Sequence, residues 1–148
     1  VSDPIAETAI FKADRRVAFQ DVDAAGLVFF VRFFEYCHDV LFAFLGSRGI
    51  AMPEILASGK WAAPLAHVEA DYMIPLRFGD AFTVAITKVT IGGSSMRVDY
   101  RVSNARDKSV CSAHMVHVFI ERTTMRPFPA PDDVREALKG CATFSTEK

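Results

Sequence analysis

No stretch of this sequence approaches the ~20 consecutive apolar residues needed for a membrane-spanning helix, so no membrane partner is expected. Charge of either sign is also not in excess. Seventeen Lys and Arg stand against 18 Asp and Glu, a net charge of −1, which gives no bulk signal for a nucleic acid or an anionic surface. Cysteine is scarce: three residues, at 37, 111 and 141, are too widely spaced to suggest a disulfide framework. That usage points to a reducing, cytoplasmic compartment. The opening Val1-Ser2-Asp3-Pro4-Ile5-Ala6-Glu7 lacks the basic start and apolar core of a signal peptide. There is no internal repeat and no low-complexity segment. No Gly-x-Ser-x-Gly marks a serine hydrolase, and no Gly-x-Gly-x-x-Gly or P-loop marks a nucleotide site. No metal-ligand motif stands out. His114 and His117 have a tempting spacing, but residues three apart on a strand face opposite ways.

What the chain does have is apolar material. Of 148 residues 51% are hydrophobic and 13 are Phe, enough for one domain, residues 1–148, to bury a sizeable core without disulfides or metal. Ala9 to Phe19 alternates as a first strand, with Phe11, Ala13, Val17 and Phe19 on one face. From Phe30 to Leu45 the pattern changes to steps of three and four: Phe30, Phe33, Phe34, Cys37, Val40, Leu41 and Phe44. That predicts a long amphipathic helix, with Gly46 placed to cap its end. A short helix follows from Pro53 to Ser58, with Gly59 after it. Four β-type segments come next: 62–74, 81–91, 95–102 and 109–122. Their links are short, and Gly92-Gly93 reads as a tight hairpin turn, so the strands should pair antiparallel. Pro127, Pro129 and Pro131 precede a last helix at about 131–139 and a polar tail. One very apolar helix and one sheet must bury each other, an α+β architecture with the sheet wrapped around the helix.

Between the first strand and the long helix lies Phe19-Gln20-Asp21-Val22-Asp23-Ala24-Ala25-Gly26-Leu27-Val28-Phe29-Phe30. A carboxylate placed against a helix N-terminus is a plausible catalytic arrangement, because the first-turn N–H groups are unpaired and favour developing negative charge. On this reading Asp23 does the chemistry and the start of the helix holds an oxyanion. Gly26 supplies a backbone geometry that other residues resist, and lets a substrate approach the backbone. The competing reading is plain: an acid before a helix is most often a cap or a first-turn charge. Asp21 reads as structural, orienting the loop.

These residues resemble the signature of hotdog-fold acyl-CoA thioesterases of the 4-hydroxybenzoyl-CoA thioesterase class, over about residues 12 to 122. Pro64-Leu65-Ala66-His67-Val68-Glu69-Ala70-Asp71-Tyr72, then Pro75 and Phe78-Gly79-Asp80, is similar to the family's second strand and following turn. With Tyr36-Cys37-His38-Asp39, the pattern looks most like the branch that hydrolyses 1,4-dihydroxy-2-naphthoyl-CoA. The resemblance implies a hotdog fold and hydrolysis of an acyl-CoA thioester, with an aromatic acyl group. It implies Asp23 as catalytic carboxylate and the backbone N–H of Phe30 as the group that polarises the carbonyl. Asp23 would act as nucleophile or as general base; the two routes stay open. CoA enters as part of the substrate, so no cofactor is expected. Hotdog sites form between subunits, which implies a homodimer, commonly paired into a homotetramer.

Two departures qualify the match. Some relatives carry Tyr-His where this chain has Phe29-Phe30, so their catalytic histidine is absent. A basic CoA-binding cluster near the hairpin is replaced by Gly92-Gly93-Ser94-Ser95, whose glycine N–H groups and Ser94 and Ser95 hydroxyls can meet phosphate instead. Lys88, Arg97 and Arg101 lie nearby without an assigned role. Phe29 and Gly26 are expected to line the substrate. His67 sits in a strand resembling the family's active-site wall, where substrate contact competes with a hydrogen-bonded packing role. Glu35 reads as an exposed helical acid, and Cys37 and Cys111 as buried and inert. A carrier-protein thioesterase would want a basic docking patch, which is not obvious. A non-catalytic acyl-CoA sensor sits badly with the retained Asp-x-Asp-x-x-Gly. A hotdog dehydratase would need a histidine where Phe30 stands.

Overall fold

Phe33, Cys37, Val40, Leu41, Phe44 and Leu45 form one buried stripe along the long helix, and the sheet closes over it. The computed structural model describes residues 8–145; the expectations placed on Val1–Glu7 and on the last three residues of the polar tail lie outside the described residues. In order come β1 (Phe11–Arg16), a 3-10 turn (Phe19–Asp21), α1 (Arg32–Ser47), α2 (Met52–Ser58) and β2 (Leu65–Tyr72). Then follow β3 (Ala81–Ile91), β4 (Ser95–Asn104), β5 (Ser109–Val118), α3 (Asp132–Ala137) and β6 (Thr143–Phe144). The sheet order is β1-β3-β4-β5-β2. All four of these pairings are antiparallel, as short links require. A parallel two-residue pairing of β6 with the end of β3 completes the sheet, and nothing in the pattern predicted it.

Alternation settles the layers. Val84, Ile86, Val89 and Ile91 of β3, Val98, Tyr100 and Val102 of β4, and Met115 of β5 are buried. Phe44 sits at the centre, almost fully buried and 5.5 Å from the Phe11 ring. Phe44→Ala is expected to cost about 3–5 kcal/mol through lost burial and the cavity left behind. Thermal unfolding should record a drop of about 10 °C for a chain of this length.

Several boundaries differ from the sequence reading, those of α1 most clearly. Gly46 does not end α1. The helix continues through Ser47, and Gly49 takes the left-handed conformation at φ +87°. The Ile50 N–H donates to the Leu45 carbonyl at 2.9 Å and the Gly49 N–H to that of Gly46 at 3.1 Å. This is a Schellman closure, with buried Ile50 completing the apolar contact. At the other end, Phe30 precedes the helix and is exposed, as is Phe19, which leaves the β1 face and meets Phe78 edge-on. The Gly92-Gly93 turn joins β3 to β4 as expected, but neither glycine is among the positive-φ residues. The link is longer than a two-residue turn and closes with the Gly92 N–H on the Ser95 carbonyl.

β2 is the exception in this layered design. It ends the sheet, pairs only with β5, and is exposed along nearly its whole length. One edge of its backbone is therefore unpaired, an arrangement that isolated proteins usually guard against. No single helix among the described residues is long and apolar enough to cross a membrane.

Candidate active site

The Asp23 loop is a small, self-bonded hairpin. Val22 bridges Val28, and Leu27 bridges Arg77. The Asp23 N–H donates to the Leu27 carbonyl at 2.8 Å, and the Gly26 N–H to the Asp23 carbonyl at 2.9 Å. Gly26 turns the chain at φ +80°, a region costly for residues with a Cβ. The Val28 N–H donates to the Leu76 carbonyl at 2.8 Å, so the Pro75–Asp80 turn holds the loop from outside.

Within the loop the carboxylate is asymmetric. Oδ1 of Asp23 accepts from the Ala25 N–H at 2.8 Å and the Leu27 N–H at 3.3 Å. Oδ2 carries no bond among the described residues. The Asx-turn role that makes the bland reading of Asp23 reasonable thus uses one oxygen and leaves the other open.

Asp21 is the orienting acid. It accepts from the Tyr36 hydroxyl at 2.7 Å and lies 3.8 Å from the Arg32 guanidinium. Burial, then the Asp21 contact, pushes the Tyr36 hydroxyl well above its ordinary pKa, so it stays a donor. Arg32 also meets Glu35 at 2.7 Å, and Glu35 is exposed, as its position suggested.

α1 begins at Arg32 with no side-chain cap. Among the described residues the N–H groups of Phe30 and Val31 donate to nothing. The peptides on either side of Phe30 are nonetheless fixed. The Phe29 carbonyl accepts from the Arg32 N–H at 2.9 Å, and the Phe30 carbonyl accepts from the Tyr72 hydroxyl at 2.9 Å. The Phe30 N–H is therefore held in place yet vacant, at the positive end of the helix. Phe29 and Phe30 stand exposed with their rings 4.9 Å apart. Tyr72 was missed by sequence reasoning. It lies 42 residues from its partner, and no local signal connects them.

The remaining predicted residues lie elsewhere in the chain. Asp23, Gly26, Phe29 and Phe30 share one loop. His67 is on the outer face of β2, five residues from Tyr72 and so on the opposite side of the sheet. There it meets Glu69 at 3.2 Å and stacks on His114 with centroids 5.4 Å apart. His114 also lies 3.6 Å from Glu69. The nitrogen and oxygen atoms of His67, Glu69 and His114 fall within 4.8 Å of one another, a donor set of the type zinc accepts. His114 and His117 do part to opposite faces: His117 is buried, its Nδ1 3.0 Å from the Ala63 carbonyl. Ser94 and Ser95 lie at the far end of β3 from the Asp23 loop. The Ser94 carbonyl there accepts from Phe119 and the Gly93 carbonyl from Ala130. Arg97 and Arg101 are paired with Asp99 and Asp107. Cys37 and Cys111 are buried and free; burial raises both thiols, Cys111 to about 12, which leaves neither as a thiolate nucleophile.

Five antiparallel strands wrapped around one helix, with an acid-bearing loop at that helix's uncapped start, are the design of the hotdog thioester hydrolases. The chain belongs to the thioesterase-like superfamily, whose family model matches residues 17–138. It is 30% identical over 132 residues to a 1,4-dihydroxy-2-naphthoyl-CoA hydrolase of Synechococcus elongatus, covering 88% of this chain and 96% of that one. The crystal structure of a 1,4-dihydroxy-2-naphthoyl-CoA thioesterase from Synechocystis superposes with a TM-score of 0.83 at 28% identity, over 88% and 96% of the two chains. The PA5185 protein of Pseudomonas aeruginosa, 22% identical, shares the fold with a TM-score of 0.81 over 98% and 99%.

Proposed function

We propose that this chain hydrolyses aromatic acyl-CoA thioesters of the hydroxybenzoyl or dihydroxynaphthoyl type to the free acid and CoA. The observation that carries this reading is the vacant Phe30 N–H, pinned from both sides and sharing a loop with the open Oδ2 of Asp23. Attack on a thioester carbonyl moves charge onto its oxygen, and a fixed N–H at a helix start meets that charge without reorganising. Asp23 then serves in one of two ways. Its carboxylate adds to the carbonyl carbon and expels CoA thiolate, leaving a mixed anhydride that water cleaves. Alternatively it takes a proton from water as that water adds, and the tetrahedral species collapses with loss of CoA. Neither route needs a metal, and CoA is present only as part of the substrate. The relatives' names and the exposed Phe29–Phe30 pair support an aromatic acyl group.

The working unit is a homodimer through the unpaired β2 edge, with a tetramer as its further association. Exposed Leu65, Val68 and Tyr72 on this strand, with Met73 and Ile74 beyond it, supply the apolar surface for that pairing. The three free thiols suit a cytoplasmic location.

Thiol release from naphthoyl-, benzoyl-, phenylacetyl- and aliphatic acyl-CoA tests the substrate class. Fastest turnover on the aromatic substrates is expected. Faster aliphatic turnover would discard the aromatic preference and keep the chemistry. Release from none, alongside turnover of a carrier-protein-bound thioester, would replace CoA as the carrier. Tyr72→Phe frees the Phe30 carbonyl and is expected to lower kcat about tenfold through a looser oxyanion donor. Substrate affinity and thermal stability should change little, because phenylalanine keeps the ring that packs against Phe33.

A further inference from the structure

On the sheet face turned away from α1, a single carboxylate stands between two imidazoles. His67 and Glu69 are two residues apart on β2 and so point the same way. The register with β5 sets His114 directly opposite Glu69. Each ring turns its Nε2 to a different oxygen of the carboxylate, His67 to Oε1 at 3.2 Å and His114 to Oε2 at 3.6 Å. The second distance is too long for a hydrogen bond, so hydrogen bonding does not account for the whole arrangement. Stability does not account for it either, because ion pairs at exposed positions such as His67 and Glu69 contribute little.

Metal-ligand geometry does account for it. Zinc holds imidazole nitrogen and carboxylate oxygen at about 2.0–2.2 Å, and a tetrahedron built on such bonds has edges of about 3.3–3.6 Å. The separations of 3.2 and 3.6 Å match those edges. One ligand atom from each of the three side chains falls within 4.8 Å of the other two, so small side-chain rotations close the set around an ion. Two imidazoles and a carboxylate suit zinc and its transition-metal neighbours, whereas calcium and magnesium take oxygen ligands. The nearest charges on β4 do not compete. Asp99, opposite His114, is held through both oxygens by Arg97 at 3.0 and 3.3 Å, and the two charges cancel.

We propose that His67, Glu69 and His114 form a surface zinc site, with water as the fourth ligand, that clamps the edge strand β2 to β5. The ligands come from both strands, so the bound ion cross-links them. It does so where the sheet has least support, since β2 pairs with β5 alone and is exposed along nearly its whole length. The site faces away from the Asp23 loop, and the ion takes no part in chemistry there. The proposal is independent of the thioesterase reading, because neither its ligands nor its readouts involve turnover.

Zinc titrated into the protein, free of any affinity tag, in competition with a chromophoric chelator tests the site. Saturable binding of a single ion per chain at micromolar zinc is expected. His67→Ala, Glu69→Gln and His114→Ala should each weaken it by about tenfold or more, since even changes to groups behind the ligands cost that much. Glu69→Gln keeps the shape of the side chain, so its effect is read on an unchanged strand. Cobalt(II) in place of zinc should give the visible bands of a four-coordinate ion without the charge-transfer band of a thiolate, which separates this set from the partly exposed Cys141. Zinc should also slow amide hydrogen exchange along β2 in the wild type and not in His114→Ala. No binding at micromolar zinc, or binding that the three substitutions leave unchanged, would overturn the site. A thiolate band would place the ion on a cysteine and overturn it equally. Binding with unaltered exchange along β2 would overturn the clamp.

Discussion

Asp23→Asn is expected to lower thiol release about 10³-fold, whether the carboxylate acts as base or nucleophile, and to leave the unfolding temperature unchanged. The expectation follows from how the two oxygens of Asp23 are used. Its Oδ1 organises the loop by accepting from Ala25 and Leu27. An asparagine carbonyl accepts the same two bonds, so the turn persists. What disappears is the negative charge on the open side of the group. The substitution separates the structural role of Asp23 from its chemical one, and the two roles predict different results. A purely structural Asp23 would give a variant with near-normal turnover, and the reacting carboxylate would then have to be sought elsewhere. If kcat falls while substrate affinity holds, the lost interaction is one made in the transition state.

Val68→Asp is expected to convert the proposed dimer into a single chain of 16.4 kDa, as read by light scattering, and to abolish turnover with the fold intact. Val68 shares a strand face with Ala70 and Tyr72, and Tyr72 packs against Phe33 at a centroid distance of 5.3 Å, which places all three on the helix side. Val68 is nevertheless exposed in the single chain, so an acid there adds little strain to the monomer. In a two-fold pair each copy would bring its own carboxylate to the same seam. Like charges opposed across strands destabilise the pairing, and their burial adds a desolvation cost. Unchanged mass and activity would remove the β2 edge as the interface. A monomer with full activity would show that one chain holds a whole site.

Much of this molecule was legible from local pattern. The three- and four-residue steps from Phe33 to Phe44 marked α1 because a buried helix face repeats with the helix turn. Short links between the β-type segments marked the strands as antiparallel neighbours. The misplaced residues are those where two local signals competed. Gly46 and Gly49 were equally able to end α1. Gly49 does so because Ile50, one residue later, is the side chain that reaches the core. Phe19 and Phe30 continue apolar patterns in the sequence but are exposed, since each belongs to the turn beside its element. His67 could be assigned to a strand by alternation. Its face was decided by the register with β5, which sets Glu69 against His114.

The sequence by itself determined the pieces whose bonds close over a few residues. These are the helix and its stripe, the antiparallel strands, and the Asp23–Gly26 loop, in which a side-chain oxygen meets an N–H two residues on. Tertiary structure alone decided what that loop faces. Tyr72 reaches Phe30 across 42 residues, and Arg77 pairs with Leu27. Trp61 and His117 come together at one apolar cavity from separate elements. Such contacts form between groups that share no local preference. They exist only once α1 and the sheet have buried one another, because that burial sets the strand register and holds distant residues side by side.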